Sequence, residues 1–277
     1  MSTDTRPEQE RTAEEQLAFF HARRTETLAE PHGWLTLTSL QWLPPEPDTL
    51  ELVPGRWSTQ GDSATLTASA VDGLTELGTA QPVIGTLTAT LTEEESVRWV
   101  AYGGSSGRRT EVELARRGGR YALRTRDSEA PTLTAFAGVP TFDRRPDLVV
   151  PGRFQPYAEP LEERIRTAHP EVPGTHLTAG EISFRLPGQE TEFRLHASQD
   201  ADGSLDVTFH DRTNRVSTAG WRKLSIAPPE DDGAVILDFN RSINYPSAFT
   251  PYGTCPMPVD ANSVDVPIEA GEKNPLG

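Results

Sequence analysis

Cysteine is almost absent from this chain of 277 residues: Cys255 stands alone, so no internal disulfide and no multi-cysteine metal site can form. Lysine is nearly as scarce, with Lys223 and Lys273 set against twenty-four arginines. No run reaches the roughly 18 apolar residues of a membrane helix. The opening "MSTDTRPEQERTAEEQ" holds no apolar signal segment, so a cytoplasmic location is expected. The formal charge of -15 argues against nucleic acid and against an anionic membrane surface. Gly-rich phosphate loops, G-x-S-x-G, H-E-x-x-H and dinucleotide fingerprints are missing. "YGGSSGRR" is glycine-rich but has neither lysine nor helix context, and reads as a hairpin loop. The six histidines show no close ligand spacing, so neither a metal nor a cofactor is expected.

Strand signals dominate what is present. The one long helical pattern runs from about Thr5 to Glu30, with capping-box spacing at Thr5 and Glu8 and a stop at Pro31. Its apolar stripe (Leu17, Phe20, Leu28) is thin, which places it on the surface of a domain. From residue 32 the period is two, and segments such as "SATLTAS", "GTLTATLT" and "VRWVAYG" are short, β-branched and turn-bounded. The expected architecture is a 1–31 helical segment on a single β-rich domain, 32–277, built as an antiparallel sandwich or barrel-like sheet.

Two hairpins have a readable register. In "TEVELARRGGRYALRTRD" a Gly118-Gly119 turn pairs Leu114 with Leu123, Glu113 with Arg124 and Glu111 with Arg126, so the arginines have cross-strand ion-pair partners. In "TEFRLHASQDADGSLDVTFHDRT" a three-residue loop ending in Gly203 pairs Leu195 with Phe209 and turns Asp211 inward. "AVILDFN" reads as a central strand, "VDVPIEA" as a last edge strand, and 140–181 as loop-rich with a short helix near Leu161–Ala168.

The most specific feature is the polar C-terminal stretch "DFNRSINYPSAFTPYGTCPMP", followed by "NSVDVPIEAGEK". With "GWLTLTSLQWL", "RRGGRYALRTRD" and "FHDRT" it resembles the bacterial family called domain of unknown function 1684, from Gly33 to Lys273 and in family order. The resemblance implies one compact unit and assigns no activity. The family motif carries a cysteine where this chain has Ser247, so a two-cysteine site is not expected here.

Long irregular loops on a rigid sheet are favoured places for sites. The first expectation is therefore a small-molecule binding protein, with a polar or anionic metabolite under the C-terminal loop. Asn240, Arg241, Asn244, Asn262, Glu272 and Lys273 are its candidate ligand-binding residues, and Arg120 and Arg124 are further ones. The alternatives are a hydrolase with Asp211 or Asp238 as general base and Arg241 or Lys273 stabilising an oxyanion, or a non-catalytic interaction module. In that last reading Asn240, Asn244 and Asn262 cap turns, Asp238 pairs with Arg241, and the loop is a brace. Oligomeric state is not written in the sequence.

Overall fold

The computed structural model describes residues 12–104 and 107–275. The expected Thr5–Glu8 capping box and the centre of "YGGSSGRR" lie outside them. Helix α1 spans Ala13–Leu28 and is capped by Thr12 and Glu15. Thr12 N donates to Glu15 Oε2 and Glu15 N to Thr12 Oγ1.

The fold is mostly antiparallel β and gathers into two compact units. The first holds the chain up to Thr27, Gly138–Ala248 and the chain from Cys255 onward; the second holds Leu28–Ala137 and Phe249–Thr254. Each has its own hydrophobic core, where the sequence had suggested one.

In the second unit lie β1 (Leu37–Trp42), β2 (Asp48–Leu50), β3 (Val53–Gln60), β4 (Ser63–Ala68), β5 (Thr75–Glu76), β6 (Gly85–Ala89), β7 (Ser96–Gly103), β8 (Arg109–Arg117) and β9 (Arg120–Asp127). They form a five-stranded sheet, β1-β9-β8-β7-β5, and a four-stranded one, β2-β3-β4-β6. Trp57 and Leu66 of the smaller sheet share a core with Val100, Val112, Leu114 and Leu123 of the larger. The β8–β9 hairpin has the expected register, turned by Gly118 and Gly119 at φ +57° and +75°. Both central residues need positive φ in such a turn, and glycine takes it without steric cost.

In the first unit lie β10 (Val149–Arg166), β11 (Pro173–Phe184), β12 (Phe193–Gln199), β13 (Leu205–Asp211), β14 (Arg222–Ile226), β15 (Ala234–Asp238), β16 (Ile243–Asn244) and β17 (Ser263–Val264). Their order is β15-β10-β11-β12-β13-β14-β16, with β17 parallel to β13. Two expectations change. The helix near Leu161–Ala168 is instead the far half of β10, where Ile165 is the one buried side chain, too few to show a period of two. And β15 pairs only with β10, leaving Ile236 58% exposed, because an apolar run of four does not distinguish a central from an edge strand.

Candidate functional site

The C-terminal stretch is a chain of mutual hydrogen bonds. Asp211 and Arg222 are fully buried and paired at 2.7 Å. Asp211 Oδ1 also accepts from Thr213 N, Thr213 Oγ1 and Ile268 N, and Arg222 donates to the carbonyls of Ala270 and Ile268. Fully buried and accepting four bonds, this carboxylate is not placed to activate a solvent water. Asp238 accepts from the amide and side chain of Asn240 and pairs with Arg241 at 3.5 Å. The two acids thus have separate partner sets.

The asparagines serve as backbone. Asn240 Oδ1 accepts from Arg145 N, and its Nδ2 donates to Arg145 O. The β12–β13 ladder keeps the expected register at Ser198–Asp206 and Gln199–Leu205. At His196 the Asn262 amide takes the ladder's place: Oδ1 accepts from His196 N, and Nδ2 donates to His196 O and Thr208 O. Buried backbone groups need partners, and Asn262 supplies three bonds from one side chain. Glu272, 1% exposed, accepts from Arg24 Nε of α1 and from Asn244 N, while Arg24 Nη2 donates to Asn244 O. Asn244 Nδ2 donates to Lys273 O, the Lys273 ammonium lies 4.8 Å from the Phe142 ring, and Arg241 lies 5.4 Å from that of Phe20.

A different constellation stands in the second unit, on the face of β7, β8 and β9 turned away from the apolar core. Strand alternation sends Tyr121 and Leu123 into that core and Arg124 and Arg126 to the other side. Arg98 on β7, opposite Glu113, and Arg117 at the end of β8 complete four guanidiniums. They line a cavity of about 260 Å³ with Trp34, Ser96 and Glu113. Trp34 is presented by a single helical turn, Trp34–Thr36, whose preceding carbonyls, His32 O and Gly33 O, accept from Arg126 Nη1.

Glu113 is the carboxylate among them. Its Oε1 accepts from Arg124 Nη1 at 3.0 Å and its Oε2 from Arg126 Nε at 2.6 Å. Burial pushes the Glu113 carboxyl up, but Arg126 and Arg124 outweigh it and hold it below its ordinary value. Arg126 is pulled down by burial, with the like charges of Arg98 and Arg124 adding to it against Glu113. Positive charge is therefore in local excess. Thr254 Oγ1 accepts from Arg124 Nη2 and Arg117 Nε, and Arg117 Nη2 donates to Ser96 Oγ. Glu94 lies 3.3 Å from Arg117 and Glu111 3.5 Å from Arg98 at the rim. Arg124 is 1% exposed, yet its Nε has no hydrogen-bond partner among the described residues.

The sequence pointed to Arg124 alone in this group. It gave the arginines cross-strand ion-pair partners without placing them, and Glu113, Arg124 and Arg126 are buried. It also gave Arg126 to Glu111, whereas Arg126 goes to Glu113 and Glu111 faces Arg98 and His32. Arg120 lies elsewhere on the sheet, over the Trp42 ring at 3.8 Å. Among the described residues no group of three or more His, Cys, Asp or Glu is placed to hold a metal ion, and no helix is long and apolar enough to cross a membrane.

Comparison with known proteins gives kinship without an activity. A solution NMR structure of an uncharacterized protein of Haloarcula marismortui is 27% identical, covering 50% of this chain and 78% of that one at a TM-score of 0.42. No curated protein matches the sequence. The model of the family described as "Protein of unknown function (DUF1684)" matches residues 134–273, half of the chain, so the protein belongs to that family.

Proposed function

We propose that the protein binds a small anion in the guanidinium pocket of the second unit, and that the C-terminal stretch of the first unit is a brace. One observation carries the reading: Arg124, buried to 1%, lines a cavity with three more arginines and has an N–H with no partner among the described residues. A buried donor left unmade costs about 1–3 kcal/mol, more when charged, and an anion's oxygen offsets that cost. In the first unit the fully buried Arg222 and the half-buried Arg24 are paired with Asp211 and Glu272; Arg222 Nε also lacks a partner among the described residues, but its other nitrogens are bound to Asp211 and to the carbonyls of Ala270 and Ile268. The acidic surface keeps macromolecular polyanions away, while the pocket's size suits a single small ligand.

The test is thermal unfolding in acetate, sulfate and phosphate at constant ionic strength. A ligand that favours the native state adds about 1.4 kcal/mol at ten times its Kd. The wild type and Arg241→Gln gain stability from at least one anion, and Arg124→Gln and Arg98→Ala do not. Equal responses in all four, or none in the wild type, would remove the reading.

A second reading, hydrolysis, is supported by one observation in the first unit. His196 Nδ1 lies 2.8 Å from Glu163 Oε2, both partly exposed, and His196 Nε2 makes no hydrogen bond among the described residues. Burial raises the Glu163 carboxyl, but bonds from Thr178 and His196 outweigh it and keep it below its ordinary value. A carboxylate that fixes one imidazole nitrogen leaves the other to take a proton from water. A neutral nitrophenyl ester is the probe. The reading requires a pH-dependent rate that disappears in His196→Gln; a rate indifferent to that change excludes it.

A further inference from the structure

The pocket is more particular than an anion trap. Resting on the anion-binding reading above, we infer that its ligand is a small monocarboxylic acid with a planar apolar body, the carboxylate meeting Arg124 and Arg98 and the body lying against Trp34. Three features independent of one another lead there.

The first is charge. Arg98, Arg117, Arg124 and Arg126 face Glu113 inside the pocket and Glu94 and Glu111 at its rim. Glu111 is shared with Arg109, so the four guanidiniums have one carboxylate inside the pocket, Glu113, and only a partial claim on the rim acids. A carboxylate answers that surplus, whereas a phosphate dianion or a diphosphate brings its further charge toward Glu94 and Glu111. With Arg124 Nη1 and Nη2 bound to Glu113 and Thr254, one carboxylate oxygen meets Arg124 Nε and the other the guanidinium of Arg98.

The second is size. A cavity of about 260 Å³ falls below the roughly 300–1,000 Å³ of drug-sized sites, so nucleotides and coenzyme-like molecules are too large to be enclosed. A ligand of one ring or one short branch fits.

The third is Trp34. It is the one apolar side chain lining the pocket, and it remains 36% exposed. The guanidinium carbons of Arg126 and Arg124 lie 5.1 and 5.8 Å from its ring centroid, within cation–π range. Arg126 fixes the turn that presents it by bonding the two carbonyls before it. An inorganic oxyanion has no use for an apolar wall held in place this way. A planar acid does, because it can pack on the indole while its charged end reaches the guanidiniums.

Isothermal titration of the full chain with benzoate, acetate, inorganic phosphate and benzamide, at one ionic strength, tests this. Benzoate is expected to bind about ten-fold more tightly than acetate or phosphate, and benzamide not measurably. Trp34→Ala brings the benzoate-to-acetate ratio toward one, and Trp34→Phe keeps most of it. Arg98→Ala weakens benzoate and acetate together. If phosphate binds as tightly as benzoate, or Trp34→Ala leaves benzoate unchanged, the ligand class is overturned while the anion site stands. If no anion binds, or binding survives Arg124→Gln, both fall. Should Trp34→Ala fail to fold, the benzoate-to-acetate ratio of the wild type decides alone.

Discussion

The two units bury the same kinds of charge and leave them in opposite conditions. In the first, Arg222 meets Asp211 at 2.7 Å with both side chains fully buried, and Arg24 meets Glu272 at 3.0 Å. In the second, Glu113 is shared by Arg124 and Arg126, Arg98 and Arg117 stand beside them, and a cavity remains. A buried network of one-to-one ion pairs rigidifies a fold; one in which several cations share a carboxylate and have space in front of them can take a ligand. Counting polar residues therefore does not separate a brace from a site. Unmet donors alone do not either, since Arg222 Nε and Arg124 Nε both lack a partner among the described residues; the cavity and the one carboxylate shared by its guanidiniums do.

The contrast breaks most severely at its buried pairs. Arg222→Met leaves Asp211 buried without its partner, and chemical denaturation is expected to show a loss of about 3–5 kcal/mol. Added small anions should not restore it, since the defect is a surplus of negative charge. Glu113→Gln is the mirror case: a loss of about 3 kcal/mol, partly recovered by acetate, because Arg124 and Arg126 then lack their carboxylate. A loss in Glu113→Gln that anions leave untouched would erase the distinction between the units. Asn262→Ala removes three bonds at the β12–β13 opening and is expected to cost about 1–3 kcal/mol with anion response unchanged.

Acid separates the units more gently. His176 is held below its ordinary value of 6.5 by burial, with Glu163 opposing and His196 assisting. Its contribution to stability is present above 6.5 and fades as pH falls from there toward the lower folded value. Glu113, also depressed, contributes fully well above its ordinary 4.5 and loses that contribution as pH falls through its lower folded value. Spectroscopic melts should thus weaken first-unit probes in mild acid and second-unit probes only in stronger acid. His176→Gln should remove the earlier step.

Local chemistry was legible in the sequence and long-range convergence was not. The Gly118-Gly119 turn fixed the β8–β9 register because glycine alone takes both left-handed positions cheaply, and period two then settled which faces Leu123 and Arg124 occupy. Asn240 and Asn262 were named as ligand-binding residues, with loop-fastening as the alternative; their side chains bond the backbone of Arg145, His196 and Thr208. The far half of the strand Val149–Arg166 was lost because its buried side chains are too few and too far apart, Phe154 and then Ile165, to show a period. The pocket was missed for another reason. Arg98, Arg117, Arg126 and Trp34 come from four separate segments, and the ion pairs of β8 and β9 look the same in sequence whether solvent or a packed turn covers them. One clue existed: Arg124 and Arg126 share a strand face on a hairpin whose opposite face is apolar, near the "GWL" turn that covers it.

The most direct measurement is anomalous diffraction from crystals soaked in sodium bromide, since a halide reports accessible unneutralised positive charge without favouring any organic ligand. Excess cation in the second unit predicts a bromide peak in the pocket, against Arg124 Nε and Arg98, and no peak beside Arg222 or Arg24. A pocket free of bromide, with halide seated instead on the cations of the C-terminal stretch, would contradict the account.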